Sequence, residues 1–199
     1  MERLAVFGGS FNPVHNGHIY LIDRIDEKLS FDRIFVVPSK IPPHKSSFEM
    51  ANEYHRLNLC RLSFENNKKV TVSDFEISNA GKSYTVFTIR HFKKQFPKAE
   101  LFLVVGSDML LSFHEWFMCD EILSMCTIAA ASRCDADSVK IAAYSEKISR
   151  LGGSCEIIPV KPLEISSTEI RRRISAGEDT ACFMPEKAVQ YIKANNLYI

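Results

Sequence analysis

Short apolar runs alternate along the chain with longer segments of helical periodicity. The apolar runs are residues 4–7, 34–37, 70–72, 101–105, 127–130 and 156–160, and the segments of helical length are residues 19–29, 51–65, 84–96 and 139–151. Strands that are apolar at successive positions are buried on both faces, as in a parallel sheet covered by helices. The pattern therefore predicts a doubly wound, mainly parallel Rossmann-like α/β sheet with helices on both faces.

Length and composition predict a single globular domain over residues 1–199. Apolar residues make up 46% of the chain and charged residues 25%, with a net charge of +1. Because acids and bases are interspersed, no overall field draws the protein to nucleic acid or to a membrane. The opening apolar run is too short for a signal peptide or a membrane span, which predicts a cytoplasmic protein. The six cysteines form no Cys-x-x-Cys pair and are expected to be reduced and mostly buried.

The loop after the first strand combines glycines with two histidines. Residues 8–18 are Gly-Gly-Ser-Phe-Asn-Pro-Val-His-Asn-Gly-His. Glycine lets backbone N–H groups approach a phosphate, and the helix N-terminus that follows adds partial positive charge. The spacing of His15 and His18 places both imidazoles on one face of the first helical turn, where both can donate to one phosphate. A tight turn with one capping and one core histidine is the alternative interpretation.

A second polar segment, residues 165–173, precedes and begins a helix near the C-terminal end. Ser166 and Glu169 have the spacing of a capping box, so a well-formed helix start is one interpretation. It does not explain the three hydroxyls at 166–168 or the three arginines at 171–173, which face the unfavourable end of the helix dipole. A bound polyphosphate explains both, with Arg171 making a charge-assisted contact. Arg172 and Arg173 are expected to point to solvent.

Together the two segments resemble the motifs of a nucleotidyltransferase superfamily, His-x-Gly-His at 15–18 and Ile-Ser-Ser-Thr-x-x-Arg at 165–171. Within it, the chain is most similar over essentially its whole length to the bacterial nicotinate-nucleotide adenylyltransferases. The supporting segments are residues 8–13, 42–45, 83–85, 106–108 and 185–198, with Trp116. The departures are Ser10 where threonine is usual, Asn12 where aspartate is usual, and Arg133-Cys134-Asp135 where an Arg-Pro-Gly turn is usual.

The resemblance implies transfer of AMP from ATP to nicotinate mononucleotide, giving nicotinate adenine dinucleotide and pyrophosphate in NAD biosynthesis. It also implies Mg²⁺ carried in with ATP. The implied ATP phosphate contacts are His15, His18 and Arg171, assisted by Ser166, Ser167 and the backbone of Gly8, Gly9, Ser10 and Phe11. Gly106 and Asp108 would hold the adenosine. On the acceptor side, Trp116 would stack on the pyridine ring, Thr85 would recognise its carboxylate, Lys45 would lie near a phosphate, and Arg133 would keep a family role.

Taken one at a time, several of these residues have plain structural interpretations. Trp116 lies between Phe113 and Phe117 and could be an ordinary core residue. Asp108 could cap a helix, Thr85 could begin one, and Lys45 could be a solvated loop residue. A zinc site at the two histidines is not expected, because no third and fourth ligand follow at a recognisable spacing.

The sequence contains no evident pair of nucleophile and base, and the chemistry requires none. A phosphate monoester has its second pKa near 6, so the attacking oxygen is already ionised at neutral pH. We therefore expect direct in-line displacement without a covalent intermediate, driven by positioning and positive electrostatics. A related transferase acting on phosphopantetheine and a non-catalytic nucleotide-binding module are the alternatives. The preference for nicotinate over nicotinamide mononucleotide and the formation of a homo-oligomer stay open.

Overall fold

The computed structural model describes residues 1–42, 50–132, 135–161 and 163–199, with the side chains of 135–138 excepted. The strands are Arg3–Gly9 (β1), Arg33–Pro38 (β2), Val70–Val72 (β3), Glu100–Gly106 (β4), Thr127–Ser132 (β5) and Cys155–Pro159 (β6). The helices are Asn16–Leu29 (α1), Glu53–Phe64 (α2), Phe75–Ser78 (α3), Thr85–Gln95 (α4), Ser107–Leu111 (α5), Cys119–Met125 (α6), Asp135–Arg150 (α7), Ser167–Ser175 (α8) and Glu186–Ala194 (α9), with a 3-10 turn at Phe113–Glu115. Each apolar run of the sequence thus forms a strand.

The six strands form one parallel sheet in the order β3-β2-β1-β4-β5-β6. This confirms the predicted doubly wound α/β fold. Successive residues of β1 are buried on opposite faces, since Ala5 and Phe7 join one hydrophobic cluster and Leu4 and Val6 join the other. The first cluster includes side chains of α1, α2, α8 and α9, and the second includes side chains of α4, α5, α6 and α7. Burial on both faces is the reason that the strands are continuously apolar.

A crevice opens at the carboxyl ends of β1 and β4, where the strand order reverses. The ladder between these strands ends at the pair Val6 and Leu103, although β1 continues to Gly9 and β4 to Gly106. Over the same residues β1 stays paired to β2, and β4 stays paired to β5. The two halves of the sheet therefore separate at their carboxyl edge. Ligands of doubly wound folds bind at this switch point.

The expectation that most cysteines are buried is wrong for the described residues. Cys60 and Cys126 are buried, Cys119 and Cys155 are partly exposed, and Cys182 is exposed, all as free thiols. Burial raises the pKa of the Cys126 thiol to about 12. No helix in the described parts of the chain is long and apolar enough to span a membrane.

Candidate active site

The two histidines of the first loop pack together at the start of α1. His15 is the N-cap residue and His18 lies in the first turn, with 3.8 Å between their ring centroids. The backbone N–H of His15 donates to Nδ1 of His18 at 3.2 Å. Because Nδ1 accepts, the neutral ring of His18 carries its proton on Nε2, which is then a donor. The predicted common face is confirmed, and the capping interpretation is compatible with it.

Two positions of the first loop require glycine because aromatic rings pack directly against them. A Cβ on Gly17 would lie 2.9 Å from Nδ1 of His15, and a Cβ on Gly9 would lie 3.0 Å from the Phe11 ring. Any side chain at either position would displace the ring. Phe11 itself has φ of 43°, which is uncommon for a bulky residue, and its ring is buried edge-on to His18 at 5.1 Å. Phe11 can therefore contribute only backbone to a ligand.

His15 is held in its neutral form by burial. Its side chain is 6% exposed, and its Nδ1 has no hydrogen-bond partner among the described residues. Burial lowers the pKa of His15 to about 4, because the imidazolium form loses solvation there. At neutral pH it is therefore an uncharged ring.

We expect this burial to make the protein less stable in mild acid. The unfolded chain binds a proton at His15 below pH 6.5, whereas the folded protein binds it only near pH 4, so stability rises with pH between these values. From pH 7 to pH 5 the histidine should account for about 2 kcal/mol of lost unfolding free energy. Urea unfolding of the wild type and of His15→Gln at both pH values measures this loss. If both proteins lose the same unfolding free energy between pH 7 and pH 5, the prediction is wrong.

The start of α8 is bonded to the first loop. Oγ of Ser167 donates to the Pro13 carbonyl at 2.9 Å, and Nη1 of Arg171 donates to the Asn12 carbonyl at 2.9 Å. Ser166 is the N-cap, and its hydroxyl accepts the Glu169 backbone N–H at 3.2 Å. The two sequence motifs thus meet. The helix cap at Ser166 is confirmed, and the phosphate contacts of this segment stay a prediction.

The three arginines of α8 have different surroundings. Arg172 pairs with the Glu169 and Glu178 carboxylates, and Arg173 pairs with Glu169 and lies 4.9 Å from the Phe183 ring centroid. Arg172 is exposed to solvent, as expected, and its ion pairs lie at the surface. Arg173 is only partly exposed, because the Glu169 carboxylate and the Phe183 ring hold it against the protein. Arg171 differs in reaching the first loop.

Gly106 and Asp108 lie across the crevice from the first loop. Gly106 ends β4 and is the N-cap of α5, while Asp108 lies exposed in the first turn of that helix. The interpretation of Asp108 as the helix cap is wrong, since Gly106 occupies that position. An exposed carboxylate at a strand's carboxyl end is well placed for a ligand.

The predicted acceptor residues Thr85 and Trp116 are on neighbouring segments. Thr85 begins α4, as its structural interpretation predicted, and Trp116 follows the 3-10 turn. The rings of the adjacent residues Tyr84 and Phe117 are 4.8 Å apart. Trp116 packs partly against the second hydrophobic cluster, 5.3 Å from Phe113, and its buried Nε1 has no partner among the described residues.

Two predicted residues, Lys45 and Arg133, lie outside the described residues. One cation that the sequence did not indicate is Arg56, which is 1% exposed beneath the first loop and donates to the Ser10 carbonyl at 2.6 Å. Its position within an ordinary helical pattern offers no signal of this contact. A cleft of about 450 Å³ lies along α3 and α4 and is lined by none of the predicted site residues.

Comparison with known proteins identifies the family of the chain. The chain belongs to the cytidylyltransferase-like family, whose model matches residues 6–173. Within that family it belongs with the nicotinate-nucleotide adenylyltransferases. A Clostridium tetani protein named "Probable nicotinate-nucleotide adenylyltransferase" is 33% identical over 199 residues, covering 100% of both chains. A Clostridium botulinum protein of the same name is 34% identical over 201 residues, covering 100% of this chain and 98% of the relative.

A solved structure shows the same fold. Plasmodium falciparum nicotinic acid mononucleotide adenylyltransferase, complexed with NaAD, superposes with a TM-score of 0.81 at 21% identity. The match covers 100% of this chain and 98% of that chain. At this level of identity the similarity concerns the fold.

Proposed function

We propose that the protein transfers AMP from ATP to nicotinate mononucleotide, giving nicotinate adenine dinucleotide and pyrophosphate. The observation that carries the proposal is the junction of the two motifs, where Ser167 and Arg171 bond to the carbonyls of Pro13 and Asn12. This junction lies at the carboxyl edge of the sheet, in the position where doubly wound folds bind nucleotides. The names of the full-length relatives support the same reaction.

ATP is proposed to lie along the crevice between β1 and β4. The polar atoms of His18, Arg171 and Ser166 would face the phosphates, together with His15, Ser167 and the backbone of Gly8, Gly9, Ser10 and Phe11. Gly106 and Asp108 would face the adenosine. Two helix N-termini, those of α1 and α8, direct partial positive charge to the first loop and favour an anion between them.

The reaction needs positioning rather than acid–base chemistry. An ionised oxygen of the acceptor phosphate attacks the α-phosphorus of ATP, and the bond to the departing pyrophosphate breaks in line with it. The residues of the site stabilise the added charge through donors that are already oriented. His18 is the proposed donor at the α-phosphate, because its Nδ1 is held by His15 and its Nε2 carries the proton.

Nucleotidyltransferases use a divalent metal with ATP, and we propose Mg²⁺, bound chiefly by the ATP phosphates. Mg²⁺ retains several waters and needs only one or two carboxylates in such sites. This suits the described residues, which contain no cluster of three or more potential metal ligands. Asp108 is the one carboxylate among the residues proposed to bind the nucleotide.

For the acceptor, we propose that Trp116 stacks on the pyridine ring and that Thr85 recognises its carboxylate. The contact between Tyr84 and Phe117 supports a shared site, since it holds the two segments side by side. Lys45 and Arg133, which lie outside the described residues, are proposed to contribute cations. We further propose a single domain over residues 1–199 that acts in the cytoplasm without binding nucleic acid or membranes.

Gly8 offers a direct test of the proposed ATP position. No described atom lies within 4 Å of a Cβ built at Gly8, and its φ does not require glycine. Gly8→Ala should therefore fold with unchanged stability, yet raise the KM for ATP by about tenfold or more, because the methyl group would occupy the space of the phosphates. Thermal unfolding and steady-state kinetics measure the two effects. A normal KM for ATP would place the nucleotide elsewhere.

The function itself is tested by pyrophosphate release from Mg²⁺-ATP with three acceptors in parallel. These are nicotinate mononucleotide, nicotinamide mononucleotide and phosphopantetheine. We expect turnover to be fastest with nicotinate mononucleotide. Preference for phosphopantetheine would indicate a related transferase, and ATP binding without release of pyrophosphate in any arm would indicate a nucleotide-binding module.

A further inference from the structure

Arg56, on α2, is the most deeply buried cation of the described residues. Its side chain is 1% exposed. No carboxylate of the described residues forms an ion pair with it within 4 Å, and its donors bond instead to three backbone carbonyl groups. Burying a cation in this way costs free energy that an apolar residue of similar size would not. A buried arginine bonded to loop carbonyls therefore suggests a role beyond filling the core.

The guanidinium of Arg56 bonds to three separate segments. Nη1 donates to the Ser10 carbonyl at 2.6 Å, Nη2 to the Lys40 carbonyl at 3.2 Å, and Nε to the Ala51 carbonyl at 3.0 Å. Ser10 belongs to the loop proposed to bind the ATP phosphates. Lys40 follows β2, and Ala51 precedes α2. The guanidinium uses a different nitrogen for each carbonyl, whereas a lysine would have to bond to all three from a single nitrogen.

The Lys40 segment continues the connection to the acceptor side. The backbone N–H of Lys40 donates to Oγ of Ser83 at 2.9 Å, and the Ser83 N–H donates to the Ile41 carbonyl at 3.0 Å. Ser83 precedes Thr85, the proposed carboxylate-recognition residue, by two positions. A continuous set of bonds thus runs from Ser10 through Arg56 and Lys40 to Ser83.

We propose that Arg56 is a positioning residue that fixes the acceptor segment relative to the ATP loop. This inference rests on the proposed function, because it assigns the Ser10 loop to ATP and the segment at Ser83 to nicotinate mononucleotide. In-line transfer between two anions depends on their separation, and a displacement of about 1 Å can cost about 10²-fold in rate. Arg56 acts through Ser10 and Lys40 rather than by touching the reacting atoms.

The test is a comparison of Arg56→Lys with the wild type, using Arg61→Lys as the matched control. Arg61 lies on the same helix, with its side chain toward Asn58 at the surface. For Arg56→Lys we expect kcat/KM for nicotinate mononucleotide at saturating ATP to fall about 10- to 100-fold, while the KM for ATP changes by less than about fivefold. Arg61→Lys should stay within about twofold of the wild type in both constants.

Thermal unfolding separates this role from plain stabilisation. A purely structural Arg56 would lower Tm in the variant and leave kcat and KM of the folded protein unchanged, which would overturn the proposal. A loss confined to the KM for ATP would also overturn it, because Arg56 would then serve the ATP loop alone. An inactive wild type in the same assay would instead mark the failure of the proposed function.

Ser83→Ala provides a second test that does not depend on replacing a buried cation. It removes the acceptor of the Lys40 N–H, and we expect a roughly three- to tenfold loss of kcat/KM for nicotinate mononucleotide with little change in the KM for ATP. Because both substitutions act on the position of Lys40, the double variant should lose less than the product of the two single losses. Unchanged acceptor kinetics in Ser83→Ala would overturn the proposal even if Arg56→Lys fails to fold.

Discussion

Replacing His18 by alanine is expected to lower turnover about 10² to 10³-fold, the usual cost of removing an oriented donor from a developing charge. The structure supplies the reason for its orientation. Nδ1 of His18 is bonded to the His15 backbone N–H, and its ring packs edge-on to Phe11 and against His15. The proton-bearing Nε2 is thereby held in one position. The measurement is steady-state pyrophosphate release with saturating Mg²⁺-ATP and nicotinate mononucleotide.

His18→Asn separates the donor from the helix cap. The asparagine side chain has an acceptor near the position of Nδ1, so it can keep the bond to the His15 N–H, but it has no atom in place of Nε2. We therefore expect His18→Asn to keep a Tm close to that of the wild type and to lose as much turnover as His18→Ala. Near-normal turnover in the asparagine variant would assign His18 to the helix start alone. His55→Ala, on α2 and beside Tyr191, is the control for loss of an imidazole.

Arg171→Ala is expected to weaken ATP binding and to slow turnover as well. A charge-assisted contact contributes about 1.5 to 3 kcal/mol, which corresponds to a roughly 10- to 100-fold higher KM for ATP. The structure adds a second reason, since the bond from Nη1 to the Asn12 carbonyl orients the guanidinium and ties α8 to the first loop. The alanine variant therefore loses both the positive charge of Arg171 and the bond that holds the first loop to α8. Calorimetric ATP binding and steady-state kinetics measure the two parts.

Arg172→Ala is the matched control on the same helix. Arg172 pairs with Glu169 and Glu178 on the surface, away from the first loop. Screened surface pairs contribute little, so we expect its KM for ATP to stay within about twofold of the wild type. Equal effects of the two substitutions would show that the total charge of α8 matters rather than the position of Arg171. Unchanged kinetics in Arg171→Ala would reduce the segment at 165–171 to a helix start.

The strands and most of the longer helices were predictable from the sequence, because burial on both faces leaves a local apolar signature. The short helices α3, α5 and α6 were not, since segments of four to seven residues show no clear periodicity. The two motifs were recognisable because both combine small residues, hydroxyls or histidines with a helix start. Each motif also follows a predicted strand, so both are expected at the carboxyl edge of the parallel sheet.

Other parts of the site depend on contacts between distant segments. The first loop is bonded to α8 through Ser167 and Arg171 and to α2 through Arg56, at separations of 46 to 159 residues. No local pattern marks Arg56, because an arginine in a helix is usually solvated. The positive φ of Phe11 and the burial of its ring are likewise not evident from the sequence.

By itself, the sequence determined the alternation of strands and helices, the parallel sheet and the two polar segments that resemble nucleotidyltransferase motifs. These are encoded by neighbouring residues, whose spacing fixes which faces are buried and where backbone donors are exposed. Only the tertiary structure decided that β1 and β4 separate beyond Val6 and Leu103 and that Arg171 bonds to the first loop. It also decided that Arg56 bonds to carbonyls of three separate segments. Each of these depends on which distant carbonyl or carboxylate lies within hydrogen-bond reach once the chain is folded.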